Sequence, residues 1–195
     1  MPTFVWDIDD VLNGLMRDWL AEEWLPSHPS CKLTYSDLVE NPPHRVLGVP
    51  REEYLASLDC FRVSAKAAAM QPNPAILAWF RLHGARHRHL ALTARPLGST
   101  PHAAEWLFRH FGGYVRCFGV VPSRLEDGLP QYDQGKDAFL EWFGKADYLI
   151  DDSPANIAAA RNLGVRGVLY PQPWNRSSVT VDEALSQLTA LAEAA

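Results

Sequence analysis

The stretch Phe4-Val5-Trp6-Asp7-Ile8-Asp9-Asp10-Val11-Leu12 opens the chain with an apolar run that gives way to three carboxylates. Residues 4–6 are aromatic or β-branched and lack helical spacing, which is typical of a short buried β-strand. The acids Asp7, Asp9 and Asp10 would then follow the end of that strand. Carboxylates this close repel one another unless a cation or a hydrogen-bond network holds them. The stretch therefore predicts a strand that ends in a metal or catalytic site, with a solvated acidic loop as the alternative.

The composition favours a soluble globular domain with a small insert. The chain has 195 residues, of which 47% are hydrophobic and 21% are charged, and this length can bury a full core. A net charge of −5 argues against a broad nucleic-acid-binding face, although a local basic pocket stays open. No apolar run approaches the roughly 20 residues that span a membrane. We therefore expect neither a membrane nor a nucleic acid as partner.

The cysteines indicate the redox setting. Cys31, Cys60 and Cys117 lie far apart and show no CxxC spacing, so neither a disulfide framework nor a zinc site is expected. The first strand begins at once and carries the acids, which does not suit a signal peptide. We expect a reducing, cytoplasmic location.

Residues 14–70 show helical patterns and no strand pattern. Apolar residues at helical spacing predict a helix over about 14–25, and prolines then interrupt residues 26–50. A short helix is predicted over 35–40, and another over 51–58 with Pro50 at its start. We interpret residues 14–70 as a helical cap inserted into a core made of residues 1–13 and 71–195.

The rest of the chain alternates strands with helices. Strand patterns occur at residues 89–93, 114–121, 148–150 and 165–170, and helical patterns at about 76–83, 100–112, 136–143, 154–163 and 180–191. Residues 122–134 are predicted to be a polar loop. Such an alternation predicts an α/β fold with a doubly wound, parallel five-stranded sheet and helices on both faces.

Polar groups follow three of these strands. The first strand ends in the acids, the second in Thr93-Ala94-Arg95-Pro96 and the fourth in Asp151-Asp152, while Lys136 begins a helix. Ligands of open parallel sheets bind at the carboxyl ends of the strands, so these groups converge if the first strand is central. Clustered carboxylates suit Mg²⁺, and a hydroxyl and an ammonium suit a phosphoryl group. The set predicts phosphoryl chemistry, which needs positioning and charge neutralisation.

The ordered set Asp7-x-Asp9, Thr93, Lys136 and Asp151-Asp152 resembles the four motifs of the haloacid dehalogenase (HAD) superfamily of phosphatases. The resemblance covers nearly the whole chain, with the helical insert where that family places a cap. It implies that Asp7 is the nucleophile that forms an aspartyl-phosphate and that Asp9 is the acid and base. It implies that Thr93 and Lys136 hold the phosphoryl group. It also implies that Mg²⁺ is bound by Asp7, the Asp9 carbonyl and Asp151, with Asp152 either a further ligand or a partner of the ligands.

Within this superfamily the chain looks most like the 5′(3′)-deoxyribonucleotidase group. The pointers are Phe61-Arg62, the segment Leu92 to Pro96, and Pro173-Trp174-Asn175. They imply substrate contacts by Thr93, Ala94, Arg95, Phe61, Arg62 and Trp174. One departure is Asp10, where that family often has glycine. The expected substrate is a small phosphorylated molecule, with nucleotides as candidates.

Several alternatives stay open. Asp10 favours a non-catalytic phosphate- or nucleotide-binding protein, and the basic run of residues 81–89 gives weak support to a phosphatase of nucleic-acid ends. That run more simply lies at a helix end on the solvent side. Thr93 would otherwise be a plain strand terminus, Lys136 a surface lysine, and Asp152 a helix cap. The tryptophans of the predicted helices, Trp142 among them, are expected in the core.

Overall fold

A parallel five-stranded sheet forms the centre of the computed structural model, which describes residues 1–123, 130 and 132–194. Its strands are β1 (Thr3–Trp6), β2 (Arg88–Arg95), β3 (Cys117–Pro122), β4 (Tyr148–Asp151) and β5 (Arg166–Leu169), in the order β3-β2-β1-β4-β5. The strand β1 is central, and its Trp6 lies beside Ala91 of β2 and Ile150 of β4. The predicted doubly wound sheet is confirmed.

Alternate side chains of β1 enter two different cores. Phe4 and Trp6 pack with helices Pro74–His83, Thr100–Phe111 and Val181–Glu193 on one face. Val5 packs on the other face with helices Lys136–Phe143 and Pro154–Asn162. Because both faces are covered, β1 is apolar from Phe4 to its last residue, Trp6, as expected for a central parallel strand.

The insert, residues 14–70, consists of short helices joined by turns and loops, and it contains no strand. A helix begins at Leu15 and continues through Leu20–Trp24, a turn with π-type hydrogen bonds, to Ser27. The 3₁₀ turn Tyr35–Asp37 and helices His44–Leu47, Arg51–Arg62 and Ala65–Ala69 follow. Its apolar side chains, among them Trp19, Trp24 and Phe61, form a cluster separate from the two cores of the sheet. The boundaries of a cap at residues 14 and 70 remain a proposal.

Three details differ from the predictions. The strand β3 begins at Cys117 rather than at residue 114. Trp142 is 76% exposed on helix Lys136–Phe143, so its predicted place in the core is wrong. His89 of the basic run is buried at the start of β2, whereas Arg81, Arg86 and Arg88 are exposed. Much of the predicted loop over 122–134 lies outside the described residues.

No helix among the residues that the structure describes is long and apolar enough to cross a membrane.

Candidate active site

Three buried carboxylates meet at the carboxyl edge of the sheet. Asp7 follows β1, and Asp151 and Asp152 lie at the end of β4, the neighbouring strand. One oxygen of each lies within 4.8 Å of the others. Burial, opposed by the Lys136 ammonium and reinforced by Asp151 and Asp152, raises the pKa of Asp7 well above its usual value. The strand order therefore concentrates negative charge where little water can screen it.

Lys136 is the cation between these acids. It starts the helix Lys136–Phe143 and is almost fully buried, with its Nζ 2.8 Å from Asp7 Oδ1 and 2.7 Å from Asp151 Oδ2. Burial disfavours the ammonium, but the two carboxylates outweigh burial and raise the pKa of Lys136. The lysine is therefore charged, and it fixes one oxygen of Asp7 while Oδ2 has no partner within the described part of the chain.

Asp151 is held by groups that the sequence analysis did not identify. Its Oδ1 accepts hydrogen bonds from the Ser153 backbone N–H at 2.8 Å and from the Asn156 amide at 3.0 Å. Asn156 lies one turn into helix Pro154–Asn162, whose N-cap is Ser153. An asparagine five residues after a strand-end acid is a recognisable signal only once the strand-to-helix turn is known.

Asp9 is bound by arginines from two directions. Arg95, at the end of β2, donates from Nε to Asp9 Oδ2 at 2.9 Å and from its second nitrogen to Oδ1. Arg62, at the end of the insert helix Arg51–Arg62, lies 3.6 Å from Asp9 Oδ2. Burial opposes the charge of Asp9, but these guanidinium groups lower its pKa. Asp9 is therefore ionised, and its contacts with Arg95 and Arg62 link the sheet to the insert.

Asp10, the departure from the family pattern, has a backbone that glycine adopts freely. Its φ is 62°, in the left-handed region, where aspartate is more tolerated than most side chains. Its buried Oδ1 accepts from the Met16 backbone N–H at 2.9 Å, near the start of the first insert helix. The extra carboxylate is therefore used as a helix cap. Burial, with Asp152 next in effect, raises the pKa of Asp10.

Asp152 is oriented by residues that follow β5. The Trp174 indole donates from Nε1 to Asp152 Oδ2 at 2.6 Å, and the Asn175 amide donates to the Asp152 carbonyl at 2.8 Å. Burial, with the charge of Asp151, raises the pKa of Asp152 to about 7. Trp174 also packs against the apolar cluster of the insert. In this structure Trp174 contacts an acid of the cluster rather than the cavity described next.

A cavity of about 200 Å³ lies over the acids, between sheet and insert. Its floor includes Asp7, Asp9, Thr93, Ala94 and Lys136, and its roof comes from the insert. Thr93 is fully buried, and its hydroxyl has no hydrogen-bond partner in the described part of the chain. A buried hydroxyl without a partner is costly unless a ligand satisfies it. The predicted site residues Asp7, Asp9, Thr93, Ala94, Arg62, Lys136 and Asp152 all line this cavity.

Besides Trp174, two residues predicted to touch substrate do not line it. Phe61 is fully buried in the insert cluster, and its spacing from Tyr54 and Leu58 on one helix face is the signal that could have indicated this. Arg95 contacts the site only through Asp9.

The donor set fits a hard divalent cation. Asp7, Asp151 and Asp152 offer buried oxygens close enough to share one ion, and Mg²⁺ prefers such oxygen ligands. Burial, together with the neighbouring acids whose charge Lys136 offsets only in part, keeps the pKa values of Asp7 and Asp152 raised.

Sequence comparisons find nothing, since no protein-family model matches the chain and no curated protein matches it. Structural comparison finds many neighbours of similar length. A haloacid dehalogenase-like hydrolase from Streptococcus pneumoniae has a TM-score of 0.64 at 10% identity and covers 98% of each chain. A magnesium-bound HAD hydrolase from Bacillus subtilis has a TM-score of 0.60 at 14% identity, again over 98% of each chain.

A third neighbour was solved with phosphate and sodium bound. It is a HAD-family hydrolase from Deinococcus radiodurans, with a TM-score of 0.59 at 16% identity, covering 100% of this chain and 96% of the other. At these identities the likeness establishes the fold. The protein therefore has the α/β fold of the haloacid dehalogenase superfamily, as the resemblance implied.

Proposed function

We propose that this protein is a Mg²⁺-dependent phosphomonoesterase of the HAD type that works through an aspartyl-phosphate on Asp7. The observation that carries the proposal is the group of three buried carboxylates, Asp7, Asp151 and Asp152, whose oxygens lie within 4.8 Å of one another. Lys136 and the unpartnered Thr93 hydroxyl lie on the same cavity. A dianionic phosphoryl group with a cation would satisfy both the acids and the hydroxyl.

The cation would be held by Asp7, Asp151 and Asp152, with the Asp9 carbonyl as a further ligand. When bound, Mg²⁺ neutralises charge on the phosphoryl oxygens and on the acids. Ionised Asp7 is then favoured, because a nearby positive charge lowers the pKa of a carboxyl.

In the first step, Asp7 Oδ2 attacks phosphorus while Lys136 holds Oδ1. The bond from phosphorus to the ester oxygen breaks, and Asp9 gives a proton to the departing alcohol. In the second step, a water attacks the aspartyl-phosphate, Asp9 takes its proton, and phosphate leaves. Thr93 and Lys136 would donate hydrogen bonds to the phosphoryl oxygens in both steps.

The pairing of Asp9 with Arg95 bears on this cycle. A carboxyl whose pKa is lowered is ionised and lacks the proton that the first step needs. A phosphate dianion entering next to Asp9 opposes the arginines and raises the pKa of Asp9 again. Substrate binding would thus favour the protonated form of Asp9 that the first step needs.

One observation favours a second candidate, a non-catalytic phosphate-binding protein. Both oxygens of Asp9 accept hydrogen bonds from Arg95, which is almost fully buried. If that pair does not open, phosphate binds without turnover. The phosphatase of nucleic-acid ends loses its support, since the basic run of residues 81–89 precedes and begins β2, at the opposite edge from the acids.

The test is phosphate release from nucleoside monophosphates, sugar phosphates and an aryl phosphate, with Mg²⁺ and with chelator. Release that needs Mg²⁺ and disappears in Asp7→Asn is the expected result. Mg²⁺-dependent binding without release would favour the second candidate. Equal release by the Asp7→Asn variant would exclude the mechanism.

A further inference from the structure

The cavity over the acids is small. Its volume is about 200 Å³, below the roughly 300–1,000 Å³ of pockets that enclose drug-sized ligands. A cavity of this size suits the phosphate ester of a small alcohol better than an ester that carries both a sugar and a base.

The roof of the cavity contributes one aromatic ring among the described residues of the lining, and that ring is almost fully buried. The roof consists of Leu15, Met16 and Leu58, with Asn41 and Tyr54 beside them. Tyr54 is 2% exposed, its hydroxyl donates to the Met16 sulfur, and Trp19 meets its ring edge-on. A base would therefore find no ring to stack on among the described residues of the lining, although stacking contributes about 1–3 kcal/mol per base in nucleotide-binding proteins.

The cations of the lining are already paired. Lys136 contacts Asp7 and Asp151, and Arg62 contacts Asp9 and Asp59. Of the lining residues that the structure describes, none is a cation without a carboxylate partner. A second anionic group on the substrate would therefore lose its hydration with no free charge to compensate it.

Polar recognition is still available on the roof. The Arg62 Nε–H is buried and finds no hydrogen-bond partner among the described residues, and Asn41 adds an amide at the exposed margin of the cavity. A hydroxyl oxygen of the substrate can accept from either group. The apolar side chains beside them would contact its carbon atoms.

We propose that the site takes phosphate esters of compact, uncharged, hydroxylated alcohols, in preference to nucleotides and to phosphorylated carboxylic acids. This substrate class rests on the proposed function. It argues against the nucleotide substrate that the nucleotidase resemblance implies. The part of the roof that would face a nucleoside is mostly apolar, lies close to the acids and offers no exposed ring for stacking among its described residues.

The experiment compares three esters with the native protein and Mg²⁺: glycerol 1-phosphate, 3-phosphoglycerate and deoxyuridine 5′-monophosphate. The second carries a carboxylate in a molecule of similar size, and the third carries a nucleoside. We expect kcat/KM for glycerol 1-phosphate to exceed both others by at least tenfold, about 1.4 kcal/mol. A nucleotide or a phosphoglycerate that equals it would overturn the proposal.

Two substitutions test size and charge separately. Leu58→Ala enlarges the cavity and should raise nucleotide turnover relative to glycerol 1-phosphate, while Leu55→Ala, on the same helix and outside the lining, should not. Asn41→Lys adds a free ammonium and should favour 3-phosphoglycerate, with Asn41→Gln as its control. Asn41 is exposed, so this pair does not depend on core packing. Unchanged selectivity in both Leu58→Ala and Asn41→Lys would contradict the proposal.

Failure of the proposed function would look different. In that case none of the esters releases phosphate, and the same three compounds are compared by calorimetric binding with Mg²⁺. Preferential binding of glycerol 1-phosphate supports the substrate class without turnover. Preferential binding of the nucleotide overturns it.

Discussion

The two ends of β1 bury polar groups in opposite ways. At the amino end, the His89 ring is satisfied by the protein, since it accepts from the Trp6 indole at 3.0 Å and lies 2.8 Å from the Gly84 carbonyl. At the carboxyl end, one oxygen of Asp7 and the hydroxyl of Thr93 have no hydrogen-bond partner among the residues that the structure describes. A buried polar group with all its partners contributes to folding, whereas one that lacks a partner is complete only with a ligand.

The pKa values follow the same division. Burial lowers the pKa of His89 to about 4, so its ring is neutral and needs no counter-ion. Burial raises the pKa of Asp7, but Lys136 and two further acids keep charge in the site. At the amino end of β1 the buried polar groups are therefore satisfied within the protein. At the carboxyl end the buried acids would be satisfied by a cation.

The largest expected effect comes from Asp7→Asn at the carboxyl end. Turnover should fall by at least ~10³-fold, because the proposed nucleophile is lost. The fold should survive, since Asn still accepts from Ile8 and Lys136 keeps Asp151. Phosphate release and thermal unfolding measure both effects.

Asp147→Asn is the matched control at the amino end. Asp147 accepts from the Thr3 backbone N–H at 2.7 Å, a bond that asparagine can keep. Its turnover should stay close to that of the native protein. A comparable loss of turnover in both variants would mean that Asp7 acts through folding.

Mg²⁺ should stabilise the folded protein through the acids at the carboxyl end of β1. At about 100 times its dissociation constant, a ligand of the folded state adds about 2.7 kcal/mol to the free energy of unfolding. For a chain of this size that corresponds to a rise in Tm of about 5–10 °C. Thermal unfolding with Mg²⁺ and with chelator measures it. The rise should disappear in Asp151→Asn and persist in His89→Gln, and the reverse pattern would place the ion elsewhere.

His89 should make the amino end sensitive to acid. Its folded pKa of about 4 lies below the unfolded value of 6.5, so the unfolded chain binds more protons between these values. The contribution of neutral His89 to the free energy of unfolding is complete above pH 6.5 and is lost as pH falls toward 4. From near pH 7.5 to near pH 4.5 the loss is roughly 2.5 kcal/mol.

Urea unfolding of the native protein and of His89→Gln, both in chelator, isolates this contribution. The acids of the carboxyl end titrate in both proteins, so their effect cancels in the difference. The native protein should lose more stability than the variant. Parallel pH profiles would show that His89 does not titrate as described.

The smallest expected effect comes from Trp174→Phe. Loss of the indole N–H frees Asp152 to turn, and groups that orient a metal ligand contribute about 10-fold or more in affinity. Calorimetric titration should show Mg²⁺ binding about tenfold weaker, with the sheet intact. Trp142→Phe, at an exposed tryptophan, should leave Mg²⁺ binding unchanged, and equal effects of the two would rule out a specific contact.

The sheet and the acids were predictable because local patterns encode them. The strand β4 is an apolar run that ends in two acids, and Lys136 begins a helix where the spacing predicts one. The short insert helices His44–Leu47 and Ala65–Ala69 were not predicted, since they are too brief to show a period. Because β1 and β4 are parallel neighbours, their carboxyl ends lie at the same edge of the sheet. The approach of Asp7 to Asp151 therefore followed from the strand order.

The contacts between distant segments were not predictable. The bond of Trp174 to Asp152 and the pairing of Arg95 with Asp9 depend on how loops pack after the sheet forms. Asp10 was predictable in part, because the sequence shows an aspartate at a position where the family often has glycine. Its use as a cap for Met16 is visible only in the fold.

The insert leaves and re-enters the sheet domain at one point. The Asn73 backbone N–H donates to the Leu12 carbonyl at 2.8 Å, and its amide donates to the Val11 carbonyl at 3.1 Å. Closing a loop whose ends already touch costs only about 0.6 kcal/mol more for each doubling of its length. A longer or shorter insert would therefore cost little in loop closure. Its contacts with the acids, Arg62 with Asp9 and Met16 with Asp10, are what such a change would have to keep.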